Sequence, residues 1–126
     1  MRIRNIAFTS MLFLAVSAIA AESALSQNME GKWGRNQNKA EVELIQMETP
    51  TKAKLKVVFW DGCTRQGETT AELKEGTWTF VAPGGMKCED IAVTMTQVPG
   101  KNRFEGATES VWRGAVVKAD FYLEGK

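Results

Sequence analysis

Few side chains in this 126-residue chain could do chemistry, and the absences among them exclude most catalytic schemes. There is no His, which removes Ser-His and Cys-His nucleophiles together with the commonest metal ligand. The two Cys, Cys63 and Cys88, lack both C-x-x-C spacing and neighbouring His, so a redox or metal-binding pair fits poorly. Glu105 and Glu109 come nearest to an acid/base pair, yet they stand apart along one strand with nothing nearby to tune them. The 16 Lys+Arg nearly balance the 15 Asp+Glu, so the basic surface that neutralises phosphates is missing and no nucleic-acid partner is expected. The composition therefore points to a non-catalytic protein with no metal and no cofactor, whose business is binding.

Two groups of residues have binding chemistry. One mixes aromatic and polar side chains at positions the strand pattern turns inward. Its aromatic members are Trp33, Phe59, Trp78, Phe80, Phe104 and Trp112, and its polar members are Gln46, Thr69, Gln97, Thr108 and Ser110. A small-molecule pocket has this mixed lining, although a filled core whose Thr and Ser bond to backbone would look the same. The other group surrounds the cysteines: Trp60, Asp61, Arg65, Met86, Lys87, Glu89 and Asp90, beside the pliable Pro83-Gly84-Gly85. Trp60 alternates outward and Arg65 reads as a mobile loop residue; both types anchor interfaces, so this edge suits a protein partner. A solvated loop, with Trp60 lying on a neighbouring Lys stem, is the plainer alternative.

The start of the chain sets the compartment. Arg2 and Arg4 precede an apolar stretch from Ile6 to Ile19, closed by Ala18-Ile19-Ala20, which is the layout of a cleaved secretory signal peptide over residues 1–20. The run is shorter than the roughly 18–20 apolar residues that span a bilayer. A second cut, after Ser26, is offered by Ala24-Leu25-Ser26. Removing 20 of the 126 residues leaves 106, and losing Arg2 and Arg4 leaves 14 basic against 15 acidic side chains. A bacterial periplasmic or secreted protein with no membrane span is expected. In such an oxidising space a Cys63–Cys88 disulfide is the default.

Residues 21–30 read as a flexible N-terminus and residues 31–126 as one domain. From Gly31 the apolar residues alternate with period two, broken by turn residues every eight to twelve positions, which is an all-β pattern. Strands are expected at 31–35, 40–47, 53–60, 67–74, 77–82, 91–98, 103–112 and 115–124. Pairing across the turn at Pro50 sets Val42 opposite Phe59 and Leu44 opposite Val57, with Glu41, Glu43, Lys54 and Lys56 outward. Glu75-Gly76 pairs Leu73 with Trp78 and Ala71 with Phe80. Arg113-Gly114 sets Phe104, Gly106 and Thr108 opposite Leu123, Phe121 and Ala119, with Gly106 leaving room for the Phe121 ring. A single antiparallel meander of about eight strands is expected to close into a small barrel, which removes the exposed edges of an open sheet; a β-sandwich is the alternative. Loops alternate between barrel ends, so Asp61–Gln66 and Pro83–Asp90 fall at one end and bring the two Cys together. Arg35–Lys39 and Arg113-Gly114 share that end.

Gly31-Lys32-Trp33 resembles the G-x-W opening of the lipocalin and avidin (calycin-type) barrels, where the Trp plugs one end. A link between these two loops is similar to that of short bacterial avidins, and Leu73–Trp78 and Trp112 fall in comparable places. The resemblance implies a small bacterial β-barrel over 31–124 and leaves a homodimer open. It does not extend to biotin: Lys56-Val57-Val58-Phe59 replaces the G-x-Y signature, and the stretch after Trp33, with Asn36, does not keep the ligand spacing. The expected function is an exported binding protein holding a small or medium-sized ligand at the disulfide-tied end. The residues expected to contact it are Trp33, Asn36, Trp60, Arg65, Trp78, Met86, Lys87, Thr108, Ser110 and Trp112. The alternative is an inhibitor or adhesion-type protein acting on an exported protein such as a hydrolase.

Overall fold

In the computed structural model residues 24–126 are described, so the expected signal peptide over residues 1–20 lies outside them. Eight strands follow one another: β1 Asn28–Trp33, β2 Asn38–Thr49, β3 Lys52–Phe59, β4 Arg65–Lys74, β5 Thr77–Ala82, β6 Ile91–Gln97, β7 Arg103–Trp112 and β8 Ala115–Gly125. Each pairs antiparallel with the next, and β1 also pairs with β8, so the sheet is a closed barrel. Closure satisfies both lateral rows of backbone groups and leaves no long edge. Alternation explains the walls. Ala53, Leu55, Val57 and Phe59 of β3 are buried, while Lys52, Lys54 and Lys56 between them are exposed. The outward charges form ion pairs such as Lys54–Glu68 and Lys39–Glu41.

The interior is filled. Phe59 lies centrally, stacked on Phe121 at 5.7 Å between centroids and tilted against Trp33 at 5.8 Å. Trp78, Phe104, Met29, Met95, Leu55 and Ile91 occupy the rest. Trp78, expected to contact a ligand, is buried in this core at the start of β5, beside the Glu75-Gly76 turn and so toward the end of the barrel opposite the disulfide, where it packs rather than lining the mouth.

Register and boundaries refine the sequence reading. The β7–β8 ladder matches it, with Phe104↔Leu123, Gly106↔Phe121 and Thr108↔Ala119. In the β2–β3 hairpin, Val42 faces Val57, Ala40 faces Phe59 and Leu44 faces Leu55. Two bulges, between Leu44 and Gln46 and between Met47 and Thr49, each insert one residue into β2. Together they displace the register by two while keeping the same residues inside. The first bulge also reverses the alternation, which puts Gln46 on the exposed face instead of the inner one. Leu73↔Trp78 holds, but the β4–β5 ladder stops at Glu72↔Thr79, so Ala71 and Phe80 are both buried without being a registered pair.

Residues 28–30 belong to β1, with Met29 in the core, so the barrel begins three residues before the expected boundary. Just ahead, Leu25 packs on the core, Ser26 Oγ donates to Asn102 at 2.6 Å, and Gln27 Nε2 donates to the Leu44 carbonyl at 2.7 Å. At the other terminus Lys126 Nζ lies 2.6 Å from Glu30 across the β1–β8 seam. The hydrogen bond from Lys126 holds the Glu30 carboxyl below its ordinary value.

Two glycines are required by close strand approach. A Cβ on Gly31 would meet the Tyr122 carbonyl, and one on Gly106 would meet the Thr94 carbonyl. The bareness of Gly106 therefore serves the β6 backbone, not the Phe121 ring as the pairing had suggested. Backbone cannot yield as a side-chain tip can. Gly31→Ala and Gly106→Ala should each cost about 1–3 kcal/mol, the range for overpacked interiors, read as a lower denaturation midpoint. A chain starting at Gln27 loses Leu25 and Ser26, and it should melt below one starting at residue 21 in the same thermal scan.

Candidate functional site

The loops collect as the meander requires. The β1–β2 turn, the β3–β4 and β5–β6 loops and the β7–β8 turn share one end of the barrel. The other end carries the tight turns and both described termini. At the loop-rich end Cys63 and Cys88 form a disulfide with Cα atoms 6.2 Å apart. The loop it ties is tighter than Pro83-Gly84-Gly85 suggests. Gly84 is buried, its N–H donates to Asp90 Oδ1 at 2.8 Å, and its carbonyl accepts from Cys88 N–H at 3.2 Å.

Arg65 departs most from expectation. It is the first residue of β4, facing inward opposite Phe59, and only 6% of it is exposed. Its guanidinium lies 5.6 Å from the Trp33 ring, so a cation caps the aromatic floor of the barrel mouth. Nη1 donates to Asp61 Oδ1 at 2.6 Å, and Nε donates to the Glu89 carbonyl at 2.6 Å. The acceptors come from two loops, and the disulfide joins those loops beside them. The mobile anchor inferred from sequence is instead a fixed plug. Alternation continues two residues past the expected strand start, which turns the side chain inward, and a buried cation needs charged and neutral acceptors close by.

Above this floor opens a bowl of about 710 Å³. Trp33 and Arg65 form its base, with Thr108, whose hydroxyl donates to the Ala119 carbonyl at 3.4 Å. Gly34, Arg35 and Asn38 line one side, and Asp61, Lys87 and Glu89 another. The remaining wall is the β7–β8 hairpin, through Ser110, Val111, Trp112, Val117 and Lys118. Arg35 and Lys87 have no ion-pair partner among the described residues, so their charges are available to a ligand.

The hairpin outruns the barrel. β6 pairs with β7 only as far as Ala92↔Glu109, and β1 pairs with β8 only as far as Trp33↔Phe121. Beyond these points β7 and β8 pair with each other alone, through Ser110↔Val117, Val111↔Val116 and Trp112↔Ala115. They form a free two-stranded ribbon turned by Arg113 and Gly114, both at positive φ as a tight hairpin turn needs. Trp112, expected to lie inward in a core, is 61% exposed because no strand lies opposite it. Alternation indicated the correct face of β7 but could not show where the barrel stops.

The expected contact residues therefore divide. Trp33, Arg65, Lys87, Thr108, Ser110 and Trp112 meet around the bowl. Asn36 sits in the β1–β2 turn, exposed and off the bowl, and Met86 is fully exposed at the apex of its loop. Trp60 is half-buried on the outer wall, with Lys39 Nζ 5.7 Å from its ring. Val111, Val117, Lys118, Asp61 and Glu89 join the lining without having been singled out as contact residues. Asp61 and Glu89 belong to the group around the cysteines, whereas for Val111 and Val117 the apolar residues flanking the Arg113-Gly114 turn were the only signal. No protein family matches the chain, and no curated protein matches it either.

Arg65→Met should cost about 1.5–3 kcal/mol in an unfolding titration, since it removes the hydrogen bonds to Asp61 and the Glu89 carbonyl and the cation over Trp33. Cys63→Ser with Cys88→Ser should cost about 3–4 kcal/mol, from the freedom restored to a closed loop of that length in the unfolded chain. The two losses should add to less than their sum, because the disulfide positions the acceptors of Arg65.

Proposed function

We propose that the protein is an exported, non-catalytic binding protein of calycin-like architecture that holds a small or medium-sized ligand in the bowl at its disulfide-tied end. The carrying observation is the location of open volume. The aromatic core fills the barrel, whereas the mouth above Trp33 and Arg65 offers about 710 Å³, within the usual range for small-ligand sites. The lining combines the faces of Trp112 and Val117 with the charges of Arg35, Lys87 and Glu89, which suits a molecule with an apolar body and polar groups. The floor is held by the disulfide and the Arg65 hydrogen bonds, so a ligand would meet a preorganised surface. With no His in the chain, nothing favours turnover over retention.

A second reading, an inhibitor-type protein that docks on an exported protein such as a hydrolase, draws on the exposed ribbon at the same end. Trp and Arg at its tip are the residue types that anchor interfaces. Native mass spectrometry of protein purified from its own source separates the two. The bowl reading expects a small adduct that is retained by the native chain and lost from Thr108→Trp, which fills the base. A bare mass together with a stoichiometric protein complex would favour the inhibitor reading.

A further inference from the structure

We infer that the tip of the β7–β8 ribbon is a wedge that enters the surface of a lipid bilayer carrying anionic headgroups. The inference goes beyond the bowl and does not depend on its ligand. Every residue from Val111 to Val117 is exposed, so the ribbon presents apolar side chains on both faces. Val111 and Val116 lie across from each other on the outer face, 48% and 66% exposed, and Trp112 and Val117 lie on the inner face. A free ribbon has no reason to be apolar all round in water, because one solvated face would ordinarily be polar.

Shape and chemistry favour lipid over a protein cleft. From Glu109 to Trp112 the ribbon advances roughly 10 Å at the rise of an extended strand, which matches the depth of about 5–10 Å to which interfacial apolar faces are buried. Lipid wets both faces at once with no demand on shape, whereas a cleft would have to grip both. Protein interfaces also carry about one hydrogen bond per 100–200 Å², and the tip offers few side-chain groups to make them. Its polar atoms are those of interfacial anchors: the Trp112 indole and the Arg113 guanidinium, which lies 5.4 Å from the Trp112 ring.

Charge indicates the headgroup. From Ser110 to Lys118 there are two cations, Arg113 and Lys118, and no carboxylate. Lys118 shares its charge with Glu109 at the ribbon's root, 3.2 Å away, which leaves Arg113 as the free cation at the apex. Basic residues beside an apolar insertion favour anionic lipid. Among the described residues no helix is long and apolar enough to cross a membrane, and insertion of the tip requires none.

The test uses the disulfide-bonded chain from residue 21 with two kinds of vesicle, phosphatidylcholine alone and phosphatidylcholine mixed with phosphatidylglycerol. The protein should sediment with the mixed vesicles, and only weakly with the neutral ones. Arg113→Glu should weaken that binding by about five-fold or more, and Trp112→Ala with Val116→Ser by about tenfold or more. Lipids brominated in the acyl chain should quench the wild-type fluorescence; Trp112→Phe should still bind but lose most of the quenching, since the other three Trp lie away from the tip. These positions are exposed, so near-ultraviolet circular dichroism should confirm an unchanged core in each variant. Failure to bind either vesicle, or binding that survives the paired tip substitution, would overturn the inference. So would a photo-crosslinker at position 116 that captures a protein stoichiometrically while vesicles do not bind. The small adduct tests the bowl separately, and although Trp112 also lines the bowl, Arg113 and Val116 do not, so Arg113→Glu alters the tip while leaving the bowl lining intact.

Discussion

The buried cation–aromatic contact between Arg65 and Trp33 organises the working end of this barrel. A guanidinium only 6% exposed is costly unless its donors are met. Its two shortest bonds go to Asp61 in one loop and to the Glu89 carbonyl in another. The Cys63–Cys88 link makes those loops a single rim. Arg65 therefore closes the apolar interior below and supplies a firm floor above. The bowl exists because the core ends in a charged cap instead of a further apolar layer.

The same end shows where closure gives way. Elsewhere each strand has two neighbours, and the side chains divide into buried and exposed rows. At Glu109 the β6 ladder ends and at Phe121 the β1 ladder ends, yet the β7–β8 pairing continues. The ribbon beyond keeps an apolar composition without a core to bury it in. It is at once a wall of the bowl, through Trp112 and Val117, and a projecting apolar tip, through Val111 and Val116. A rigid floor thus stands directly beside an apolar projection.

Much of the fold was legible in the sequence. Strand positions, the meander and the end shared by the cysteines follow from period-two alternation and turn residues, which depend on local chemistry. The errors have particular causes. The bulges at Ile45 and Glu48 leave no mark in an alternating pattern, so the β2–β3 register and the direction of Gln46 were misread. Gly106 was referred to the ring facing it because the close approach of β6 cannot be seen from β7. Arg65 reads as a loop residue in the sequence because its type favours water, and only its acceptors explain its burial.

By itself the sequence determined an all-β chain, the inner and outer rows of most strands, the hairpin turns at Glu75-Gly76 and Arg113-Gly114, and the pairing partner of each cysteine. These depend on neighbours a few residues apart, or on there being only two Cys to join. Tertiary structure alone decided that the barrel is filled, that Arg65 is a plug, and that Trp112 stands in solvent while Trp33 and Trp78 are buried. Those outcomes turn on what lies opposite a side chain across the barrel. An inward position is buried only where another wall faces it.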